Sequence, residues 1–206
     1  MAIANQNPPK TADRTIDKFK SRLSGGIARP NLFEVVLAFP DGVVDASVND
    51  LDAKSRFLVK AAALPASNIT PINVPFRGRV LKIAGDRTFD EWTITVINDT
   101  DFAIRSSFER WMNSMAKVSD TSGNTNPADY TRDASVYQLG RSAVAPNSQE
   151  SAQNMPILRT YKFYSVFPTN ISQMDLSYDQ PDSIEEFTVT LQVQWWEAAG
   201  NGGDVV

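Results

Sequence analysis

The run Phe187 to Trp196 (FTVTLQVQWW) constrains the fold most, because Phe187, Val189, Leu191, Val193 and Trp195 alternate with Thr188, Thr190, Gln192, Gln194 and Trp196. Neighbouring side chains of a strand point to opposite faces, so this period of two describes a strand with one buried face and one polar face. The pattern recurs in Phe33, Val35, Leu37 and Phe39, and again in Trp92, Ile94 and Val96 set against Thr93 and Thr95. Extended segments are also expected at Arg56 to Ala63, at Ile72 to Ala84 (one long strand broken or edged by Pro75 and Gly78), at Asp133 to Gly140 and at Pro156 to Pro168.

Two segments carry the helical period instead. Ile16, Phe19 and Leu23 lie at i, i+3 and i+7 within Asp13 to Leu23, ahead of Gly25-Gly26, and predict a short helix. Ile104, Phe108, Trp111 and Met115 predict one long helix, with Asp99 or Thr100 placed to cap it. Its apolar stripe is expected to pack on the sheet.

Six or seven strands with these helices imply a mainly β sandwich or barrel-like subunit with one long flanking helix and a short N-terminal helix. A chain of 206 residues is read as a single domain, 1–206, with flexible ends at 1–12 and 198–206. Pro40 to Asp52, Ser119 to Thr131 and Arg141 to Asn154 are expected polar loops, and the last two exceed ordinary hairpin connections.

Composition removes several chemistries. Histidine and cysteine are absent, which excludes Ser-His-Asp and Cys-His systems, thiolate or imidazole metal sites, and disulfides. No run approaches the roughly 18 apolar residues of a membrane span, so no membrane insertion is expected. MAIANQNPPK lacks a signal-like apolar core, so synthesis in a cytosol is expected, and the Asn-x-Ser/Thr matches at Asn68, Asn98 and Asn170 are read as chance. A net charge of -4 with no Lys/Arg cluster argues against tight binding to a phosphate backbone.

No cofactor or metal site is expected. The Asp spacing in DGVVDASVNDLD does not match an EF-hand, and Gly78, Gly85 and Gly140 form no phosphate-cradling motif. Arg77 and Arg79, with Lys82 beside them, are spaced to share a strand face as a weak basic row. The most enzyme-like stretch is AGDRTFDEW, Ala84 to Trp92, which holds Asp86, Arg87, Asp90 and Glu91. If Glu91 opens a strand, it and Asp90 point to opposite faces and do not converge on one substrate. Asp86 and Arg87 suit a turn joining two strands, or a local ion pair after Gly85.

Five blocks in order, ARPNLF (28–33), KAAALP (60–65), AGDRTFDEWTITVIND (84–99), FPTNI (167–171) and FTVTLQVQWWE (187–197), resemble the tail tube protein family of contractile-tailed bacteriophages. The resemblance implies a non-enzymatic virion protein whose hexameric rings stack into the inner tail tube, with strands of all subunits joining one inner barrel. It implies assembly in the host cytoplasm and a place in the virion tail. The implied partners are other copies of the chain, the contractile sheath protein, baseplate tube-initiating proteins, and the tape-measure protein and non-specific genomic DNA in the lumen. Asp86, Arg87, Asp90 and Glu91 become candidate subunit-interface residues.

The lumen strands would be two hairpins, Arg56 to Ala63 with Ile72 to Ile83 and Asp133 to Gly140 with Pro156 to Tyr164. Lys60, Arg77, Arg79 and Lys162 on them are expected to pair with acidic residues across subunit boundaries. A longer amino terminus, the acidic insertion around Gly42 to Asp52 and the Arg141 to Asn154 loop depart from shorter members of the family, and the longer loops are expected to reach an adjacent ring or subunit. Two other readings compete. One is the inner tube of a phage-derived contractile injection system carrying protein cargo; the other is a carbohydrate-active or carbohydrate-binding β-sandwich using Asp90, Glu91 and Trp195 or Trp196.

Overall fold

A computed structural model of the chain describes residues 15–23, 27–43, 51–141, 155–179 and 182–199. The expected end 1–12, residues 200–206 of the expected end 198–206, most of the acidic insertion (44–50) and nearly all of the second long loop (142–154) lie outside the described residues.

Nine strands and four helices appear among the described residues: α1 (Ile16–Arg22), β1 (Phe33–Leu37), α2 (Leu51–Leu58), β2 (Val59–Ala63), β3 (Ser67–Phe76), β4 (Arg79–Phe89), β5 (Trp92–Ile97), α3 (Ala103–Met115), α4 (Pro127–Tyr130), β6 (Arg132–Leu139), β7 (Ile157–Ile171), β8 (Glu186–Gln192) and β9 (Trp195–Ala199). The mainly β expectation is met. The larger sheet runs β1-β6-β7-β8-β5-β2 with β9 also on β7, all antiparallel, while β3 and β4 pair only with each other.

β7 belongs to both halves of that sheet. Its first part, Ile157 to Val166, pairs with β6 on one side and β9 on the other, whereas Phe167 to Ile171 pairs with β8. Between them Ser165 adopts φ 51°, and its N–H donates to Asp133 Oδ1 at 3.0 Å. The partner chain breaks at the same level: β8 stops at Gln192 and β9 resumes at Trp195. Paired irregularities of this kind bend both strands and turn one ribbon into two facing layers.

The alternation expected from Phe187 to Trp195 is therefore interrupted. Phe187, Val189, Leu191 and Val193 are buried, but Trp195 emerges beyond the break, 41% exposed. Ala198 and Ala199, expected in a flexible tail, are buried residues of β9 paired with Tyr161 and Thr160.

The core fills the space between the layers. Trp92 of β5 stacks on Phe163 of β7 with centroids 4.4 Å apart and an interplanar angle of 6°, and both are fully buried. Val35, Leu37 and Val136 join from one layer, and Ile94, Val96 and Val189 from the other. α3 covers the core with Ile104, Phe108 and Trp111, the stripe expected from its period, and Phe39 meets Phe108 edge-on at 5.2 Å. The Trp111 Nε1–H donates to the Tyr130 carbonyl at 2.6 Å, tying α3 to α4 inside the expected polar linker.

Two other expectations change. Arg56 to Leu58 is helical, and only Val59 to Ala63 is extended, because Leu51, Ser55 and Leu58 follow helical spacing onto the core. α3 is capped by Phe102 in a left-handed conformation (φ 53°), with Asp101 accepting from the Ala103 N–H at 3.2 Å, so neither Asp99 nor Thr100 is the cap. Asp99 and Asp101 instead anchor α2: Lys54 bonds to Asp101 and, at 3.2 Å, to Asp99.

The Lys54 ammonium, followed by the Ala103 N–H, holds the Asp101 carboxyl below its ordinary value of 3.8. A depressed carboxyl contributes stability that is present above the ordinary value and lost as pH falls through the folded one. Lys54→Met should therefore make unfolding less acid-sensitive in that window, as read from urea midpoints at neutral pH and near pH 3. Phe163→Ala, which empties half of the stacked pair, should lower stability by about 3–5 kcal/mol in a denaturant titration of unassembled chain.

Candidate functional site

Most of the charged block 84–92 is strand: Ala84 to Phe89 is the end of β4, with Arg87 opposite Ile69 and Phe89 opposite Ser67, and only Asp90 and Glu91 lie between β4 and β5. The expected long strand Ile72 to Ala84 is two strands, and the break falls at Gly78, one of the two positions expected to break or edge it. Arg77 (φ 45°) and Gly78 (φ 80°) form a two-residue loop with both φ positive, the geometry that matches strand twist in a tight hairpin.

β2 is not the partner of this region, as had been expected. It pairs with β5, Ala62 opposite Ile94, because Val59 must face the core. The other expected hairpin, β6 with β7, is observed.

The β3–β4 hairpin stands apart from the core as its own two-stranded sheet. One face carries Ile72, Val74 and Phe76, opposite Ile83, Leu81 and Arg79. Its five apolar residues are between 39% and 65% exposed. Such an apolar face on a projecting ribbon is unusual for a surface that meets only water.

The two long edges differ. With a two-residue loop the flanking pair Phe76–Arg79 is hydrogen-bonded and the pairs alternate from there, so residues 71, 73 and 75 direct their backbone nitrogens away from β4. Pro71 and Pro75 have no N–H to offer at that edge. The outer edge of β4 keeps its donors at Val80, Lys82 and Ala84.

The root of the hairpin is fixed to the body. Phe89 meets Trp196 edge-on at 6.1 Å, the Asp90 N–H donates to the Ala66 carbonyl at 3.1 Å, and Asn68 Nδ2 donates to Asp90 Oδ1 at 3.0 Å. A bulge interrupts the ladder between Ile69 and Pro71, and there Gly85 passes so close that a Cβ would lie 2.4 Å from the Thr70 carbonyl oxygen.

The candidate residues now have places. Asp86 and Arg87 lie on β4, and Asp90 and Glu91 at the root. Arg79 is near the tip, whereas Arg77 sits in the loop with its guanidinium 5.4 Å from the Phe76 ring centre, so the two arginines do not form a strand-face row. Lys60 lies on β2 and bonds to Glu186 Oε1 of its own chain at 2.6 Å. Lys162, on the central strand β7, stands opposite Glu197 of β9.

Asp90 serves the hairpin root, and among the described residues no three acidic groups are placed to hold a metal. The apolar face itself went unread as a surface in the sequence. Its signal was present as INVPF and RVLKI mirrored about Arg77-Gly78.

The model of the family described as phage tail tube protein matches residues 28–199, which include the whole hairpin and all nine strands. The chain belongs to the phage tail tube protein family. It is 33% identical over 174 residues to tail tube protein gp19 of Enterobacteria phage T4, covering 84% of this chain and 93% of that one. It is 26% identical over 180 residues to the tail tube protein of Serratia phage KSP90, covering 86% and 93%.

A chain in a solved sheath–tube complex of an extracellular contractile injection system has the same fold. The TM-score is 0.57 at 12% identity, covering 87% of this chain and 97% of that one. Helix α1 precedes the segment that the tail tube family model matches.

The Gly85 contact generates a test within this tail tube subunit. Gly85→Val should open the bulge and loosen the hairpin without unfolding the core. Hydrogen exchange should accelerate across 67–89 while Trp92 to Ile97 stays protected; unchanged exchange in the hairpin would contradict the close-approach role.

Proposed function

We propose that this chain is a structural, non-enzymatic virion protein, a single domain spanning 1–206, which self-assembles into stacked hexameric rings as the inner tube of a contractile phage tail. The observation that carries this reading is the projecting β3–β4 hairpin. An isolated two-stranded ribbon is marginal in water, and this one exposes an apolar face together with a donor-bearing edge. A second copy of the same chain supplies both missing contacts, and a head-to-tail contact that closes on itself makes a ring.

In that ring, strands of neighbouring subunits continue one inner barrel, and Asp86, Arg87, Asp90 and Glu91 at the hairpin base lie near the subunit boundary. Arg77, Arg79 and Lys162 belong to strands or a loop of the inner wall. Lys60 is already neutralised by Glu186. The net acidic chain suits a lumen that lets genomic DNA pass into the host without adhering. The sheath–tube origin of a structural neighbour supports a sheath protein as outer partner. Baseplate proteins that start the tube, the tape-measure protein in the lumen, assembly in the host cytoplasm and a final place in the virion tail complete the reading. The 33% identity to a phage protein, against 12% to an injection-system chain, favours the phage tail over the cargo-carrying tube.

Electron microscopy of the purified chain should show rings or hollow tubes; a stable monomer that binds a sugar would sink the reading. Leu81→Asp, which puts a charge on the apolar hairpin face, should leave the circular dichroism of the core unchanged and abolish rings. Arg87→Glu should reduce assembly, and normal assembly by that variant would confine Arg87 to a role inside its own subunit.

A further inference from the structure

A second exposed pair of surfaces lies away from the hairpin. The end of α1 and the segment that follows it, together with the β6–β7 end of the sheet, enclose an open groove of about 920 Å³. Leu23, Ile27 and Leu158 supply apolar lining, and Arg22, Arg29 and Arg141 surround it. The groove is built firmly on the sheet side. Gln138 Nε2 donates to the carbonyls of Arg29 and Leu32, both at 2.8 Å, and the Gly140 N–H donates to the Pro156 carbonyl at 2.8 Å. Among the described residues, none of the three arginines is in an ion pair.

The complementary chemistry sits between β7 and β8. From Ser172 to Glu186 the chain holds five carboxylates and no lysine or arginine. Glu185 accepts from Asn98 and Glu186 pairs with Lys60, so these two are committed within the subunit. Asp175, Asp179 and Asp182 are exposed, and among them stand Leu176, Tyr178 and Ile184, exposed by 83%, 106% and 68%. An acidic, apolar projection and an arginine-rimmed, apolar groove are matched in both charge and hydropathy.

Their placement decides how copies would meet. The groove is formed at the Leu158 end of β7, and the acidic loop leaves from Ile171 at the other end of that 15-residue strand. At about 3.3 Å per residue the two ends are up to about 50 Å apart. No residue of the loop lines the groove of its own chain. A contact between them therefore joins two chains by unlike surfaces, and such a contact propagates in one direction.

We propose that the groove receives the acidic loop of a second copy in the adjacent ring, so that this contact holds ring to ring while the hairpin holds the ring itself. The proposal rests on the tube reading. It assigns a stacking role to Arg22, Arg29 and Arg141, the first of which lies outside the segment matched by the family model.

Charge reversal on each side, alone and combined, tests it. Arg29→Glu with Arg141→Glu should shorten tubes at least tenfold by electron microscopy while single rings persist, and Asp175→Lys with Asp179→Lys should do the same. The chain carrying all four substitutions should recover long tubes. Tubes of ordinary length in either reversed chain overturn the proposal, as does loss of the rings themselves or failure of the combined chain to recover. If the groove reversal instead lowers the melting temperature of the unassembled chain, and the loop reversal does not compensate, the groove is filled by the chain's own 142–154 segment and the proposal falls. Failure of the unmodified chain to form rings would sink the tube reading separately, before any variant is made.

Discussion

The fold depends on one strand serving two layers. β7 is hydrogen-bonded along both sides in its first part and to β8 in its second, and the bend at Ser165 coincides with the gap between β8 and β9. Because both ribbons turn at the same level, Trp92 comes to lie flat on Phe163 across the core. Without that shared corner, the apolar faces read from alternating residues would have no opposing layer. The helices then close what the sheet leaves open, α3 by its buried stripe and α2 through the Lys54 contacts to Asp99 and Asp101.

Core and hairpin divide the labour. The interior between the layers is satisfied by residues of one chain, whereas the β3–β4 ribbon meets the body chiefly at Phe89, Asn68 and Asp90. A ribbon held mainly at its root adds little to the stability of an isolated subunit; in the proposed ring its remaining contacts would form only on assembly, which would link measured stability to protein concentration. Gly85 is the local condition for this arrangement, since its bulge lets the two strands approach at a point where a side chain would collide with Thr70.

Much of this was legible in the residues, and the failures have specific causes. Trp92, Ile94 and Val96 on β5, and Ile104, Phe108 and Trp111 on α3, showed their faces because each element has one buried side and an unbroken period. Arg56 to Leu58 misled because a short apolar run fits either period, and only its packing on the core decides for helix. The break after Gln192 was invisible because the alternation continues through it; a sheet corner is set by the partner strand, where Ser165 takes a positive φ. AGDRTFDEW concentrates charge beside Gly85, which suggests a turn, but residues 84–89 are strand and the tight turn belongs to Arg77-Gly78. The apolar ribbon was hardest to recognise, because exposure is a property of the fold and not of the letters INVPF and RVLKI.

Pro71 and Pro75 have a further consequence. A subunit with a projecting, apolar, two-stranded ribbon is the kind of object that stacks edge to edge into cross-β fibrils, given free donors on both sides. The outer edge of β3 is made mute at two of its three outward positions, while that of β4 stays able to bond. Edge-to-edge pairing through the ribbon is thereby favoured on the β4 side and disfavoured on the β3 side, which halves the routes by which crowded subunits could add strand to strand.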